Sequence, residues 1–143
     1  MEKEIILNND LKEISRLETF LEELGAELQL GAELLMNINL ALEEAVVNII
    51  KYAYPSEQQH HIILRSTFSG QQLIFLLTDK GKSFDPTKVE DANIDLPLEE
   101  RPVGGLGIFL IRRIMNEVSY ERIGDMNRLT LKKNITGIQP GTL

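Results

Sequence analysis

Glu44 and Asn48 stand one helical turn apart in the stretch 42–55, LEEAVVNIIKYAYP. Residues at i and i+4 share a helix face. A carboxylate and a carboxamide therefore point together from a rod whose other positions are mostly apolar. A carboxylate accepts a proton or binds a cation. A carboxamide oxygen is a hard, neutral donor suited to Mg²⁺, an ion that prefers oxygen ligands and keeps several waters. Held on one helix, the pair fixes a base and a metal ligand relative to each other. Lys51 and Tyr52 lie on or near the same side and add a cation and a phenol. The same pair also fits a partly exposed polar shoulder on a packing helix, and E-x-x-x-N is too short to decide.

Two later stretches have the composition of further walls of one site. In 79–86, DKGKSFDP, Asp79 follows an apolar run. A carboxylate at the mouth of a buried strand is an acceptor without an obvious internal partner, and a ligand amino group such as that of adenine would satisfy it. Gly81 has no side chain, so a flat ring can approach the backbone there. An Asx turn capping the strand, with Asp85 and Pro86 opening a helix, accounts for the same residues. In 101–110, RPVGGLGIFL, glycines lead into a helix. Free backbone N–H groups and the positive end of the helix dipole suit phosphate. No strand precedes this run within a βαβ unit, so it is not a Rossmann fingerprint. Lys and Ser or Thr do not follow its last glycine, so it is not a Walker A loop. Arg101 at its edge is placed to reach a terminal phosphate. A hinge before an amphipathic helix, with glycines for close packing, is the alternative.

The elements that must position these residues follow from periodicity. A short strand over 4–7 precedes turn residues Asn8, Asn9 and Asp10. Leu11, Ile14, Leu17, Leu21 and Leu24 recur at helical spacing, with Gly25 as the stop. A second helix spans 31–54, with Leu35, Ile38, Leu42, Ala45, Val46, Ile49 and Ala53 in its main stripe. Met36, Leu40 and Val47 add apolar surface on its far side, the pattern of a helix sandwiched between other elements. Strands over 61–68 and 71–79 flank a turn at Ser69 and Gly70, and the second is apolar enough to be central. Residues 80–103 show little periodicity and hold three of the five prolines. An irregular segment of that length tends to be functional or mobile, and it reads as a loop followed by a lid. A helix over 104–117 and a hairpin of 118–123 and 128–132 close the chain. The order β-α-α-β-β-loop-α-β-β predicts an α/β fold: a two-layer sandwich with a mixed, mostly antiparallel sheet covered on one face by three helices.

Composition narrows the classes. The chain has 143 residues, a length that fits one domain. Its apolar fraction of 43% and charged fraction of 26% are ordinary for a globular protein. The net charge of −7 argues against a nucleic-acid footprint, which needs a basic face. The absence of cysteine excludes disulfides and thiolate metal sites and fits a reducing compartment. No apolar run approaches the ~20 residues a membrane-spanning helix needs. The N-terminus lacks a signal-peptide pattern, so a cytoplasmic protein is expected.

In their order and spacing, the three stretches resemble the GHKL, or Bergerat-fold, ATPase/kinase superfamily. Within it the chain is similar to the small serine-protein kinases that act as bacterial anti-sigma factors. EAVVNIIKYAY is similar to the helical N box, DKGKSFDP to the first glycine box and GGLGIFL to the second. The likeness runs from the first helix to the closing hairpin. It is nearer to this kinase branch than to gyrase- or chaperone-type members. The resemblance implies one ATP-binding domain over 1–143, with an ATP lid at about 88–103. It implies ATP and Mg²⁺ as ligands. Asn48 would hold the ion that bridges the phosphates, and Glu44 would be the general base for a serine or threonine hydroxyl. Asp79 would accept from the adenine amino group, with Gly81 making room. Lys51 and Tyr52 would line the phosphate end, and Phe84, Gly104 and Leu106 belong to the same nucleotide-binding set. Gly105 and Gly107 would form the phosphate-facing hinge of the lid, and Arg101 would stabilise the transferred phosphate.

The resemblance further implies an ATP-dependent serine/threonine kinase that phosphorylates a small anti-anti-sigma (STAS-type) antagonist. Free of that antagonist it would sequester a sigma factor, and a homodimer is within the family's habit. Two other readings stay open: a nucleotide-dependent binding module with little catalysis, and a detached sensor histidine kinase-type ATPase domain. The last lacks room for a dimerising phosphoacceptor helix pair, and His60 and His61 read as turn residues at a strand start.

Overall fold

In a computed structural model of the protein, residues 1–53, 59–88 and 105–135 are described. Five strands, β1 (Glu2–Asn8), β2 (His61–Ser69), β3 (Gln72–Asp79), β4 (Glu117–Ile123) and β5 (Met126–Asn134), form one sheet in the order β1-β2-β3-β5-β4. Three helices, α1 (Ile14–Leu28), α2 (Ala32–Tyr52) and α3 (Gly105–Ile114), pack on one face. This is the expected α/β sandwich with one correction. Among the described residues every strand pairing is antiparallel, where a mixed, mostly antiparallel sheet was expected. The reason lies in the connections. α1 and α2 together return the chain to the end of the sheet where β1 finishes, so Asn8 pairs with His61. β3 and β4 run in the same direction, but β5 lies between them and opposes both.

The side chains follow the period of two that a half-covered strand imposes. Ile62, Leu64 and Phe68 of β2, Leu73, Phe75 and Leu77 of β3, and Leu129 and Leu131 of β5 are buried. They meet Leu17, Leu21 and Leu24 of α1, Ile38, Leu42 and Val46 of α2, and Ile108 and Ile111 of α3. β3 is the central strand, as its apolar sequence indicated. The β2–β3 and β4–β5 turns hold Gly70 and Gly124 at φ of 63° and 59°, a region glycine enters without steric cost.

Two helix expectations are corrected. Gly25 does not stop α1. It lies buried within the helix, and a Cβ there would stand 2.8 Å from Leu35 Cδ2 of α2. The absent side chain lets the two helices approach, and Gln29, at φ 53°, ends α1 instead. Nor is α2 sandwiched along its whole length. Met36 is 64% exposed and Leu40 39%, because only the C-terminal half of α2 is flanked by α3.

The entry to α1 is fastened by a buried acid. Glu13 Oε1 accepts from Asn8 N at 2.9 Å and from Arg16 Nη1 at 3.0 Å, joining the end of β1 to the start of α1. The Asn8 N–H holds the Glu13 carboxyl below its usual value. Burial opposes this shift, and Arg16 reinforces it. The expected lid lies, apart from Lys88, outside the described residues, as do Arg101 and Gly104. Among the described residues, no helix is long and apolar enough to cross a membrane.

Candidate functional site

The β3–β5 register sets Asp79, the last residue of β3, opposite Asn127 of β5. The β4–β5 register sets Asn127 opposite Arg122. Asp79 and Asn127 are 4% and 5% exposed. Asp79 Oδ1 accepts from Gly81 N at 2.8 Å and from Asn127 Nδ2 at 3.0 Å. Its Oδ2 takes no hydrogen bond from a described residue. The expectation of an acceptor without internal partners is thus corrected for one oxygen and stands for the other. The first bond is an Asx turn, so the carboxylate caps its strand and keeps a second acceptor in reserve.

Asp79 borders a pocket. α2 supplies Ala45, Asn48, Ile49 and Ala53 to its wall, and the sheet supplies Asp79, Tyr120, Asn127 and Leu129. Phe84, Pro86 and Ile111 complete it. The lining is mostly apolar, with a few polar groups converging, as in small-molecule sites generally. Phe84 stacks on Tyr52 with ring centroids 5.4 Å apart and planes 29° off parallel, so Tyr52 stands behind the Phe84 wall of the pocket.

Gly81 owes its identity to the end of α2. A Cβ on it would lie 2.5 Å from Ala53 O, the oxygen that also accepts from Lys82 N at 2.7 Å. The loop after β3 is therefore seated directly on the C-terminus of α2. Crowding by that helix, and not the room expected for a flat ring, is what excludes a side chain. After the loop, Asp85 Oδ1 accepts from Thr87 N at 2.9 Å and caps the 3-10 turn Pro86–Lys88.

The other end of the site forms where α3 meets α2. A Cβ on Gly107 would stand 3.0 Å from Glu44 Oε2 and 3.2 Å from Asn48 Nδ2. The polar pair on α2 and the glycine-rich start of α3 are therefore brought together. Asn48 is 7% exposed, yet its carboxamide makes no hydrogen bond to another described residue. Glu44 is half-buried and forms no ion pair among the described residues. A carboxamide with so little exposure and no described partner is free to bind a ligand. Among the described residues, no three acidic or imidazole side chains converge. A cation here would have Asn48 as its protein donor and would take its other oxygens from a ligand or water, which suits Mg²⁺. Lys51, in the last turn of α2, is exposed. Gly105 opens α3, and the Leu106 side chain lies outside the described residues.

Tyr120, Arg122 and Asn127 were not anticipated. Their signal in the sequence is slight: Asn127 is the one polar residue in the inward-facing series Asn127, Leu129, Leu131 of β5.

Residues 7–133 match the family described as the histidine kinase-like ATPase domain. The chain is 29% identical over 114 residues to the serine/threonine-protein kinase BtrW of Bordetella bronchiseptica, across 78% of this chain and 79% of that one. It is 30% identical over 100 residues to the serine-protein kinase RsbW of Bacillus cereus, across 67% of this chain and 62% of RsbW. Its fold is shared with the histidine kinase domain of a blue-light-activated histidine kinase from Erythrobacter litoralis. That likeness has a TM-score of 0.54 at 17% identity, over 88% of this chain and 61% of the other. The helix bearing Glu44 and Asn48, the strand-end Asp79 and the glycine-led α3 all lie in the matched region, and this chain belongs to the histidine kinase-like ATPase domain family, the GHKL or Bergerat-fold group.

Proposed function

We propose that the protein is an ATP-dependent serine/threonine protein kinase of the anti-sigma type, with Mg·ATP as its phosphoryl donor. The observation that carries this reading is the meeting of Glu44 and Asn48 with Gly107, in one fold with an Asp79 oxygen left unpaired beside an apolar pocket. The two ends match the two ends of a nucleotide. Asp79 Oδ2 accepts from the adenine amino group, and the pocket walls enclose the ring. Asn48 would hold Mg²⁺ through its carboxamide oxygen, and charge neutralisation at the phosphates is the chemistry such an ion would supply. Glu44 orients a serine or threonine hydroxyl and accepts its proton. Phosphoryl transfer asks for positioning and charge neutralisation more than covalent chemistry, and rigid helices are suited to both. Lys51, Gly105 and, from the lid, Arg101 and Gly104 serve the phosphate end.

The kinase names of the relatives support this assignment. By the same likeness the substrate is a small STAS-type anti-anti-sigma protein, the alternative partner is a sigma factor, and the location is the cytoplasm. The test is to incubate the protein with Mg·ATP and its cognate antagonist. The expected result is acid-stable phosphate on a serine or threonine of the antagonist, lost in Glu44→Ala. Tight ATP binding without transfer would replace the kinase reading with that of a nucleotide-dependent binding module.

A further inference from the structure

Asn127 reaches the pocket from β5 and is held at both ends of its carboxamide. Its Oδ1 accepts from Tyr120 Oη at 2.6 Å and Arg122 Nη1 at 3.0 Å. Its Nδ2 donates to Asp79 Oδ1 at 3.0 Å and Lys82 O at 3.0 Å, and lies 3.5 Å from Gly81 O. Flipping the amide would set its oxygen against three acceptors and its nitrogen against the Arg122 guanidinium, which cannot accept. The orientation is therefore fixed by chemistry, which is rarely so for a lone carboxamide. Arg122 Nη1 also donates to Gly81 O at 2.7 Å, so one guanidinium braces both Asn127 and the loop after β3.

The consequence falls on Asp79. With Gly81 N and Asn127 Nδ2 both on one oxygen, the plane of the carboxylate is held, since tilting it would break both bonds. Oδ2 alone is presented, in one direction, as an acceptor. An acceptor so fixed favours a ring carrying an exocyclic amino group and disfavours one carrying a carbonyl at that position, because a buried acceptor facing an acceptor has no compensating bond.

We infer that Asn127, braced by Arg122 and Tyr120, is a positioning residue that sets base selectivity by fixing the direction in which the free oxygen of Asp79 meets the nucleotide. This rests on the nucleotide-site reading above. The clearest probe pair is ATP and ITP, which differ at the base by an amino group against a carbonyl. The measurement is the affinity of the intact protein for each, by calorimetry, in wild type, Asn127→Leu and Arg122→Gln. In Asn127→Leu, ATP affinity falls by about tenfold or more while ITP affinity changes little, so the ATP:ITP ratio collapses. In Arg122→Gln, an exposed position that keeps the fold, the same ratio falls by about threefold. Equal weakening of both nucleotides, or an unchanged ratio in both variants, would show that Asn127 only holds the hairpin together and would overturn the inference while leaving the site reading intact. A wild-type protein that does not prefer ATP over ITP would overturn the adenine assignment of Asp79 itself, and the inference with it.

Discussion

Gly107 sits so close to Glu44 that a single methyl group on it would stand 3.0 Å from Oε2. Two helices far apart in sequence are thereby held with a carboxylate wedged against a backbone. Alanine is the better helix former by about 0.5–1 kcal/mol, so Gly107→Ala leaves the melting temperature unchanged or raises it slightly. Glu44 and Asn48 must yield by a few tenths of an ångström, and turnover falls by about tenfold or more, since small misplacements at a reacting centre are costly. Thermal melts beside a phosphotransfer assay check this. Normal turnover would reduce Gly107 to a packing residue.

Asn48→Ala separates metal binding from stability. The carboxamide is buried without a described partner, so its removal costs the fold little and gains helix propensity. Magnesium-dependent ATP affinity drops by about tenfold, the equivalent of roughly 1.4 kcal/mol. ATP affinity in the presence of chelator stays where it was. Calorimetric titrations with and without Mg²⁺ decide, and an equal loss in both would remove Asn48 from the metal.

Asp79→Asn exploits the unequal use of the two carboxylate oxygens. The amide oxygen can replace Oδ1 and keep the bonds from Gly81 and Asn127. Its nitrogen then replaces Oδ2 and turns the pocket's acceptor into a donor. The apo protein loses about 1 kcal/mol at most, while ATP affinity falls by tenfold to a hundredfold on the scale of a lost charged hydrogen bond, about 1.5–3 kcal/mol. Denaturant unfolding without ligand, set beside ATP titration, tests both halves, and collapse of the apo fold would make Asp79 a structural cap alone.

Glu13 gives the fold a dependence on acid. Its folded-state pKa lies below the ordinary value of 4.5, so its contribution is fully present above that value and is lost as pH falls through the lowered one. Glu13→Gln retains an acceptor for Asn8 but loses the ion pair with Arg16. It destabilises the protein by about 1 kcal/mol at neutral pH, and the difference from wild type fades in acid. Urea midpoints across that range are the readout, and a difference independent of pH would rule out the charge as its cause.

Most of the architecture could be read from the chain because helices and strands declare themselves locally. The apolar series in 61–79 placed the central strands, and the i, i+4 spacing of Glu44 and Asn48 placed both on one face. What could not be read depends on which element meets which. Gly25 looked like a stop because glycine usually is one, whereas the side chain of Leu35, ten residues on, fills the space beside it. Gly81 looked like room for a ligand until the carbonyl of Ala53 proved to occupy that side. Asn127, Tyr120 and Arg122 carry only a slight local signal, since it is the register of β3, β5 and β4 that brings them to Asp79. Met36 and Leu40 fit a buried helix face by periodicity alone, but no described element covers them.

The bond between Asn127 and Asp79 spans 48 positions of sequence. It joins the half of the chain that ends with β3 to the half that begins with α3, and the pocket lies along that junction. A molecule bound there touches both halves at once and acts as a removable fastener. By mass action it adds stability in proportion to the logarithm of its concentration over its dissociation constant, about 2.7 kcal/mol at a hundredfold excess. Amide exchange should register this unevenly. Protection rises most in β5 and α3, which depend on the junction, and least in β1 and α1, which are fastened to each other through Glu13.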